Sequence, residues 1–478
     1  MRNPGMEITE EQVRQIVHRV VSGMSPAVQY GAPPGIRMEG NGVFTDMNSA
    51  IEAAHEAFLK FESCGLQDRK RFTDAVRRMM LDHKEDFAVQ AVEQTGMGRV
   101  KHKIAKNVNA AVHSPGIEWL QPQSWSGKNG LAVDEYAAWG VIGNIMPSTH
   151  PAAAMVNNII IQVCAGNAIA FNPHPSAKSL SAGIIRLTNQ AMVREGAPEN
   201  LVTCVAEPTL DTAEILFSHP KTPLLSVTGG PGLVAVAMKH PKPVIAAGPG
   251  NPPVLIDETA DLDLAAKEIT ESASFDNNIL CIAEKEIFVV ESVFEKFVHA
   301  FVKQGNVRLS TAQMSNLASK ALSKQGRHWI IGREFVGRNA DVLGRALGMN
   351  LSEDVPLLFG ETQADDPWVL AEQMAPCIPV VRVKDFEQGV SACVNAEHGF
   401  EHTASIFTKD MNRATEFSRR MKTDVLVING GTLRGNGGDS GEGTFSHTIA
   451  SPTGQGICTP RDFVRRRRIM TAGAMRFV

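Results

Sequence analysis

The chain has 478 residues, too many for one ordinary core, so two or three domains are expected. Its composition is that of a soluble globular enzyme, 43% hydrophobic and 21% charged, and a formal net charge of -4 gives no general pull toward nucleic acid or an anionic membrane. No apolar run reaches the ~20 residues of a membrane span, no basic-then-apolar signal peptide opens the chain, and the seven scattered cysteines form no C-x-x-C pair, which argues for a reducing cytosol and against a disulfide framework or a metal site.

The first segment stands apart. Thr9 is placed to cap a helix whose first turn carries Glu10 and Glu11. Val13, Ile16, Val17, Val20, Val21 and Met24 then recur on one apolar stripe. Residues 1–24 therefore read as a short amphipathic helix, and residues 25–41, with Pro26, Pro33, Pro34 and Gly35, as a flexible linker to a large body. From Met47 to His113 the pattern is helical, including a run from Arg69 to Phe87. A short strand pair is predicted near Gly130 to Trp139. The apolar runs Val141 to Ile145, Ala168 to Phe171, Leu201 to Val205, Leu224 to Thr228 and Val244 to Ala247 alternate with helical stretches such as Ala152–Val163 and Ser179–Arg194. Such alternation argues for an α/β fold with a parallel, doubly wound sheet. A second set of strands and helices runs from Pro253 to Ile428, before a Gly-rich loop, Gly430 to Gly443. The tail carries four consecutive arginines, Arg465 to Arg468, read as a solvated or subunit-facing strip rather than a nucleic-acid site.

Cys281 lies in the most informative stretch. An amide-rich run, Ser274 to Leu280, leads into it, and a strand-like run, Ile287 to Val290, follows. A thiolate nucleophile needs such a setting, at the mouth of a structured element with amide donors beside it. Alone, the residue reads more readily as a small buried hydrophobe. Pro147, Ser148, Thr149 and His150 follow the strand Val141 to Ile145, where α/β sheets place ligands, although on their own they read more readily as a proline-bracketed turn. Thr228, Gly229 and Gly230 form a strand-to-helix turn where backbone can approach phosphate, and on its own a Gly-Gly is usually only a turn.

Residues 274–281, with Gly248 to Pro252 about thirty residues upstream, resemble the aldehyde dehydrogenase superfamily. Within it they most resemble the CoA-acylating propionaldehyde dehydrogenases of bacterial microcompartments, of the propanediol-utilisation type. The similarity runs from about Gly42 to about Met470. It implies a Rossmann-like cofactor domain, an α/β catalytic domain and a small β oligomerisation element. The implied layout is residues 42–248 for NAD, interrupted by oligomerisation strands at 122–139, then 249–445 for the thiol, then an oligomerisation tail at 446–478.

The resemblance also implies roles. Cys281 would attack the aldehyde. Thr149, where ordinary members carry Asn, would hold the oxyanion with the Cys281 N–H. Thr228, Gly229 and Gly230 would lie near the cofactor pyrophosphate, although the family's later glycine falls at Val234. Asn172 and His174 stand where ordinary members use Lys-Pro-x-Glu for the adenosine ribose, which leaves NAD against NADP open. Glu372 matches the glutamate of the nicotinamide ribose, and Pro147, Ser148 and Gly248 join the cofactor set. The sharpest departure is Ala246, where hydrolytic members carry the Glu that activates water. Without that base a thioester waits for another nucleophile, and the implied one is coenzyme A. Ala246→Glu is expected to restore hydrolysis if its side chain reaches a water. His150 or His174 could assist CoA deprotonation, though each reads more readily as structural.

The implied reaction takes a short-chain aldehyde (acetaldehyde, propionaldehyde or lactaldehyde), NAD and CoA to an acyl-CoA. A hydrolytic enzyme making a carboxylate and a catalytically idle scaffold on the same fold are the alternatives. Further expectations are a homo-oligomer, dimer or tetramer, no nucleic-acid or membrane partner, and a cytoplasmic location inside a bacterial microcompartment. The stripe on residues 1–24 needs a partner, and shell proteins would supply one.

Overall fold

The computed structural model describes residues 41–326 and 328–475. The helix expected over residues 1–24, and the linker up to residue 40, lie outside the described residues.

The short apolar runs become the strands of two parallel sheets. Val141–Ile145 and Ala168–Asn172 are buried at every position, which is why they read as unbroken apolar runs rather than alternating ones. In the first sheet the strands lie in the order Val43–Phe44, Val202–Val205, Ala168–Asn172, Val141–Ile145, Leu224–Thr228, Val244–Ala247, all parallel. Phe61, Phe72, Ile159, Phe171 and Phe217 pack the core on its faces. Helix Pro151–Cys164 is buried all round. Its polar members are satisfied internally, for Gln162 and Asn144 exchange side-chain hydrogen bonds of 2.8 and 3.1 Å. From Val141–Ile145 the chain proceeds to Ala168–Asn172 on one side and later returns to place Leu224–Thr228 on the other. The direction of winding thus reverses between these two neighbours, and the crevice beyond their carboxyl ends is where such sheets bind ligands.

The second sheet runs Val307–Leu309, Leu358–Thr362, Cys377–Val383, Glu286–Val290, Pro253–Ile256, Thr403–Phe407, Val425–Ile428, again all parallel. It has its own core, with Phe288, Phe294, Phe297, Phe301 and Phe407. Gly248 to Pro252 carry the chain from the carboxyl end of the first sheet's last strand to the amino end of Pro253–Ile256. The starts of the second sheet's central strands therefore meet the crevice of the first.

Two local readings change. The run from Arg69 to Phe87 is two helices, Leu66–Asp82 and Lys84–Thr95, parted at His83 with φ -110° and ψ 10°. The strand pair starts earlier, as the hairpin Gln123–Gly127 with Gly130–Ala138, and the tail strand Val464–Ala472 adds a third antiparallel member. Gln123–Gly127 is polar and almost wholly exposed, so it lacks the alternation that betrays a half-buried strand. The arginines pair inside this sheet: Arg468 with Asp134 at 2.6 Å, Arg467 with Glu135, and Arg465 over the Trp139 ring at 5.6 Å.

Candidate active site

Cys281 follows three successive left-handed residues, Asp276, Asn277 and Asn278, with φ of 50°, 57° and 65°. Asp and Asn tolerate that region because their short polar side chains bond locally, yet three in a row need outside support. Each is held. Asp276 accepts the Arg99 N–H at 2.8 Å, and its own N–H donates to His102 Nδ1 at 2.8 Å. Lys103 and Lys106 reach its carboxylate at 3.0 and 2.5 Å. Asn277 donates to the Gly337 carbonyl and to Asn339 Oδ1, both at 2.8 Å, and Asn278 donates to the carbonyls of Ala273 and Glu284, both at 2.9 Å. Burial raises Asp276, but the two ammonium groups outweigh it and hold its carboxyl below the usual range. Burial and the charge of Lys106 bring Lys103 down to about 8.

Cys281 is half-buried as a residue, while its sulfur lies inside the site. Burial and the Glu372 carboxylate push it up to about 12, while Lys285 and the N–H groups of Cys281 and Ile282 pull the other way. Four neighbouring strand starts of the second sheet surround it. Lys285 precedes Glu286–Val290, and its N–H donates to the Pro252 carbonyl at 2.9 Å. Its ammonium, wholly buried, donates to the Asn278 carbonyl at 2.8 Å, to Asn278 Oδ1 at 2.5 Å and to the Leu280 carbonyl at 3.0 Å. Burial lowers Lys285 to about 8 and raises Glu372 to about 7. Glu372, ahead of Cys377–Val383, accepts the Gly250 N–H at 3.3 Å. Gly250 must be glycine, since a Cβ there would lie 2.5 Å from the Cys281 carbonyl oxygen and 3.1 Å from the His402 ring. His402, ahead of Thr403–Phe407, is buried, and its Nδ1 is 2.8 Å from Thr403 Oγ1 while Nε2 has no partner among the described residues. Burial, aided by the Lys285 charge, brings it down to about 4, so the ring is neutral.

On the first sheet, Pro147, Ser148 and Thr149 are half-buried after Val141–Ile145. Lys103 donates to the Thr149 carbonyl at 2.9 Å, so one ammonium joins this loop to Asp276 and thereby to the thiol segment. Thr149 Oγ1 lies 2.9 Å from Nδ1 of His150, whose ring stacks on His447 with centroids 5.1 Å apart. Thr228, Gly229 and Gly230 cross from Leu224–Thr228 into helix Pro231–Ala237. Gly230 is open, with no atom within 4 Å of an added Cβ, so backbone is approachable there. Asn172 ends its strand inside the fold and accepts the Thr212 hydroxyl at 2.6 Å. His174 turns back on its own chain, with Nδ1 2.8 Å from Ser176 Oγ. A Cβ on Gly248 would meet Pro452 at 2.9 Å. Ala246 is wholly buried among the first sheet's core residues, so a glutamate placed there meets packed apolar atoms, which works against the condition that its side chain reach a water.

The structure thus gathers Cys281, Glu372 and the 248–252 turn around one point and ties the Thr149 loop through Lys103 to Asp276 of the thiol segment. It adds Lys285, His402, Asp276, Lys103 and Lys106, which the sequence reading passed over. One signal was present: Glu284, Lys285 and Glu286, three consecutive charges, run straight into an apolar strand.

A sequence profile described as Aldehyde dehydrogenase family matches residues 41–441. The acetaldehyde dehydrogenase (acetylating) EutE of Salmonella typhimurium is 40% identical over 98% of this chain and 100% of its own length. The propionaldehyde dehydrogenase of Rhodopseudomonas palustris, solved with bound CoA and an acylated cysteine, superposes with a TM-score of 0.89 at 36% identity, over 92% of this chain and 100% of that one. A propionaldehyde dehydrogenase from the Clostridium phytofermentans fucose utilisation bacterial microcompartment gives a TM-score of 0.88 at 37% identity, over 91% and 99%.

Proposed function

The chain belongs to the aldehyde dehydrogenase family, and we propose that it oxidises a short-chain aldehyde to an acyl-CoA through a thioester on Cys281. The observation that carries this reading is Ala246: where hydrolytic members place their base, this chain buries a methyl group in a packed core, leaving no carboxylate there to activate water. The acetylating relative and the propionaldehyde dehydrogenase with an acylated cysteine support the same branch and a short-chain substrate.

The residues fit the two co-substrates. The open Gly230 turn and the crevice between Val141–Ile145 and Leu224–Thr228 suit a dinucleotide, and the unpartnered Nε2 of His402 suits a thiol proton. NAD supplies the hydride acceptor, and CoA supplies the nucleophile that releases the acyl group. Pro147, Ser148, Thr228, Gly229, Gly230 and Gly248 would line the dinucleotide, with Asn172 and His174 toward the adenosine and Glu372 toward the nicotinamide ribose.

Cys281 attacks the carbonyl carbon as the thiolate, and its own N–H with the Thr149 hydroxyl receives the oxyanion. While that contact is kept, Thr149 can donate to the oxyanion only if His150 donates to it from a protonated Nδ1. His150 is held well below its usual range by burial and by the charges of Lys106, His447 and Lys103, so it carries a single ring proton, and the oxyanion role of Thr149 places it on Nδ1. His402, neutral and buried, then takes the thiol proton on Nε2.

The two separate core clusters support a cofactor unit at 42–248 and a thiol unit at 249–445, with 122–139 and 446–478 as the oligomerisation elements of a homo-oligomer. The microcompartment relative and the apolar stripe on residues 1–24 support a role inside a microcompartment, with that helix docking on shell proteins. Deleting residues 1–40 should then leave activity intact and abolish shell co-purification. The central test is NADH formation with and without CoA. Without it a single-turnover burst is expected and little more; steady carboxylate production without CoA would overturn the reading.

A further inference from the structure

We propose that Lys285 is a positioning residue: by binding the carbonyls of Asn278 and Leu280 it turns the Cys281 N–H toward the reacting oxygen. The inference rests on the acyl-transfer reading of Cys281.

A trans peptide is planar, and its C=O and N–H point in opposite directions. The Leu280 carbonyl faces the Lys285 ammonium at 3.0 Å and also accepts the Ala283 N–H at 3.2 Å. The N–H across that same peptide belongs to Cys281, so it is driven to the side away from Lys285. That is the side of the thiol, for the N–H groups of Cys281 and Ile282 both act on the Cys281 sulfur. The lysine is itself locked. Its N–H is bound to Pro252, its carbonyl accepts Gln373 Nε2 at 2.5 Å, and its ammonium makes three hydrogen bonds, all to residues 278–280. A fully buried ammonium is costly unless every donor is used, and here each bond goes to the segment that aims the nucleophile. Asn278, in the left-handed region, could otherwise rotate its peptide and carry the next ones with it.

The test uses two reagents on the full-length enzyme, with neither NAD nor CoA present. 4-Nitrophenyl acetate acylates a thiol through a tetrahedral oxyanion: the sulfur–carbonyl bond forms, and nitrophenolate leaves with the electron pair. Iodoacetamide alkylates the same thiol by displacing iodide, with no oxyanion. In Lys285→Met, acylation should slow about tenfold to a hundredfold more than alkylation does, since one oxyanion donor is typically worth ~10²–10³ in rate. Lys285→Gln, which keeps an N–H donor, should recover part of the loss. Equal slowing of both reactions, or acylation within about threefold of wild type once corrected for alkylation, overturns the proposal; if the Met variant does not fold, the same comparison in Lys285→Gln decides. Failure of the acyl-transfer reading looks different: wild type would then acylate no faster than Cys281→Ser.

Discussion

The two sides of the crevice are built from opposite materials. The first sheet offers it backbone and small, uncharged, partly exposed residues: Pro147, Ser148, Thr228, Gly229 and Gly230. The thiol side is supported by Asp276, Lys103, Lys106, Glu284, Lys285 and Glu286, none more than 4% exposed. Burying each such ionisable group costs free energy, several kcal/mol for one that stays charged, before its partners offset it, and burial pushes Glu284 and Glu286 up toward their neutral forms. A surface that only has to admit a ligand needs no such outlay, whereas a segment with three consecutive left-handed residues does. Buried charge therefore marks where reacting atoms are aimed, and bare backbone marks where a ligand is received.

The largest effect should come from the nucleophile. Cys281→Ser should lower aldehyde oxidation below about a hundredth of wild type while NAD binding, followed by fluorescence, is kept. Turnover above that level removes Cys281 from the chemistry. Replacement of Cys64, Cys164, Cys204, Cys377, Cys393 or Cys458 should be tolerated far better. Asp276→Asn comes next, because it strands Lys103 and Lys106 in the interior. Breaking a buried ion pair costs about 3–5 kcal/mol, so urea unfolding should show a loss of that order together with lost activity. On the opposite side, Gly230→Ala should stay within about 0.5 kcal/mol of wild-type stability and raise KM for NAD instead. Equal stability losses in these two variants would erase the contrast between the sides. Ala246→Glu tests the same idea from the core: a carboxylate with no partner is buried, so lower stability, by about 2 kcal/mol or more, is expected rather than a gain of hydrolysis.

This division also decided what could be read from the chain. Buried parallel strands are contiguous apolar runs, so Val141–Ile145, Leu224–Thr228 and Val244–Ala247 were legible almost to the residue. The amide-rich approach to Cys281 was legible because Asp and Asn take the left-handed region more readily than most other side chains. The supports were not. Lys103 and Asp276 meet across 173 residues, and a lysine on a helix reads as solvent-facing until its partner is known. His402 is one histidine among fourteen, and only Gly250 packed between its ring and the Cys281 carbonyl singles it out. The hairpin strand Gln123–Gly127 entered only through the family resemblance, within 122–139, because it buries nothing that could set a period.

A final prediction separates the buried ionisable groups from one another. Glu284 accepts the Thr432 N–H at 2.6 Å on one oxygen, while its other oxygen is buried without a partner. Burial pushes the group up to about 7, against the Thr432 N–H, which lowers it. In the unfolded chain it titrates at its ordinary value of 4.5. Below that value both states hold the proton and the contribution is fully present. Between 4.5 and about 7 the folded protein keeps a proton that the unfolded chain has released, so stability from this group is lost as the pH rises, by at most about 3 kcal/mol. His402, brought down to about 4, acts in the opposite sense, losing stability as the pH falls below 6.5, but it is common to wild type and variant and cancels in their difference. Glu284→Gln has no such proton to lose. The Tm of the variant minus that of wild type should therefore climb between about pH 5 and 7 and level off above. A flat or falling difference would mean that Glu284 stays charged in the fold and that this part of the thiol side is held by an anion rather than by a neutral acid.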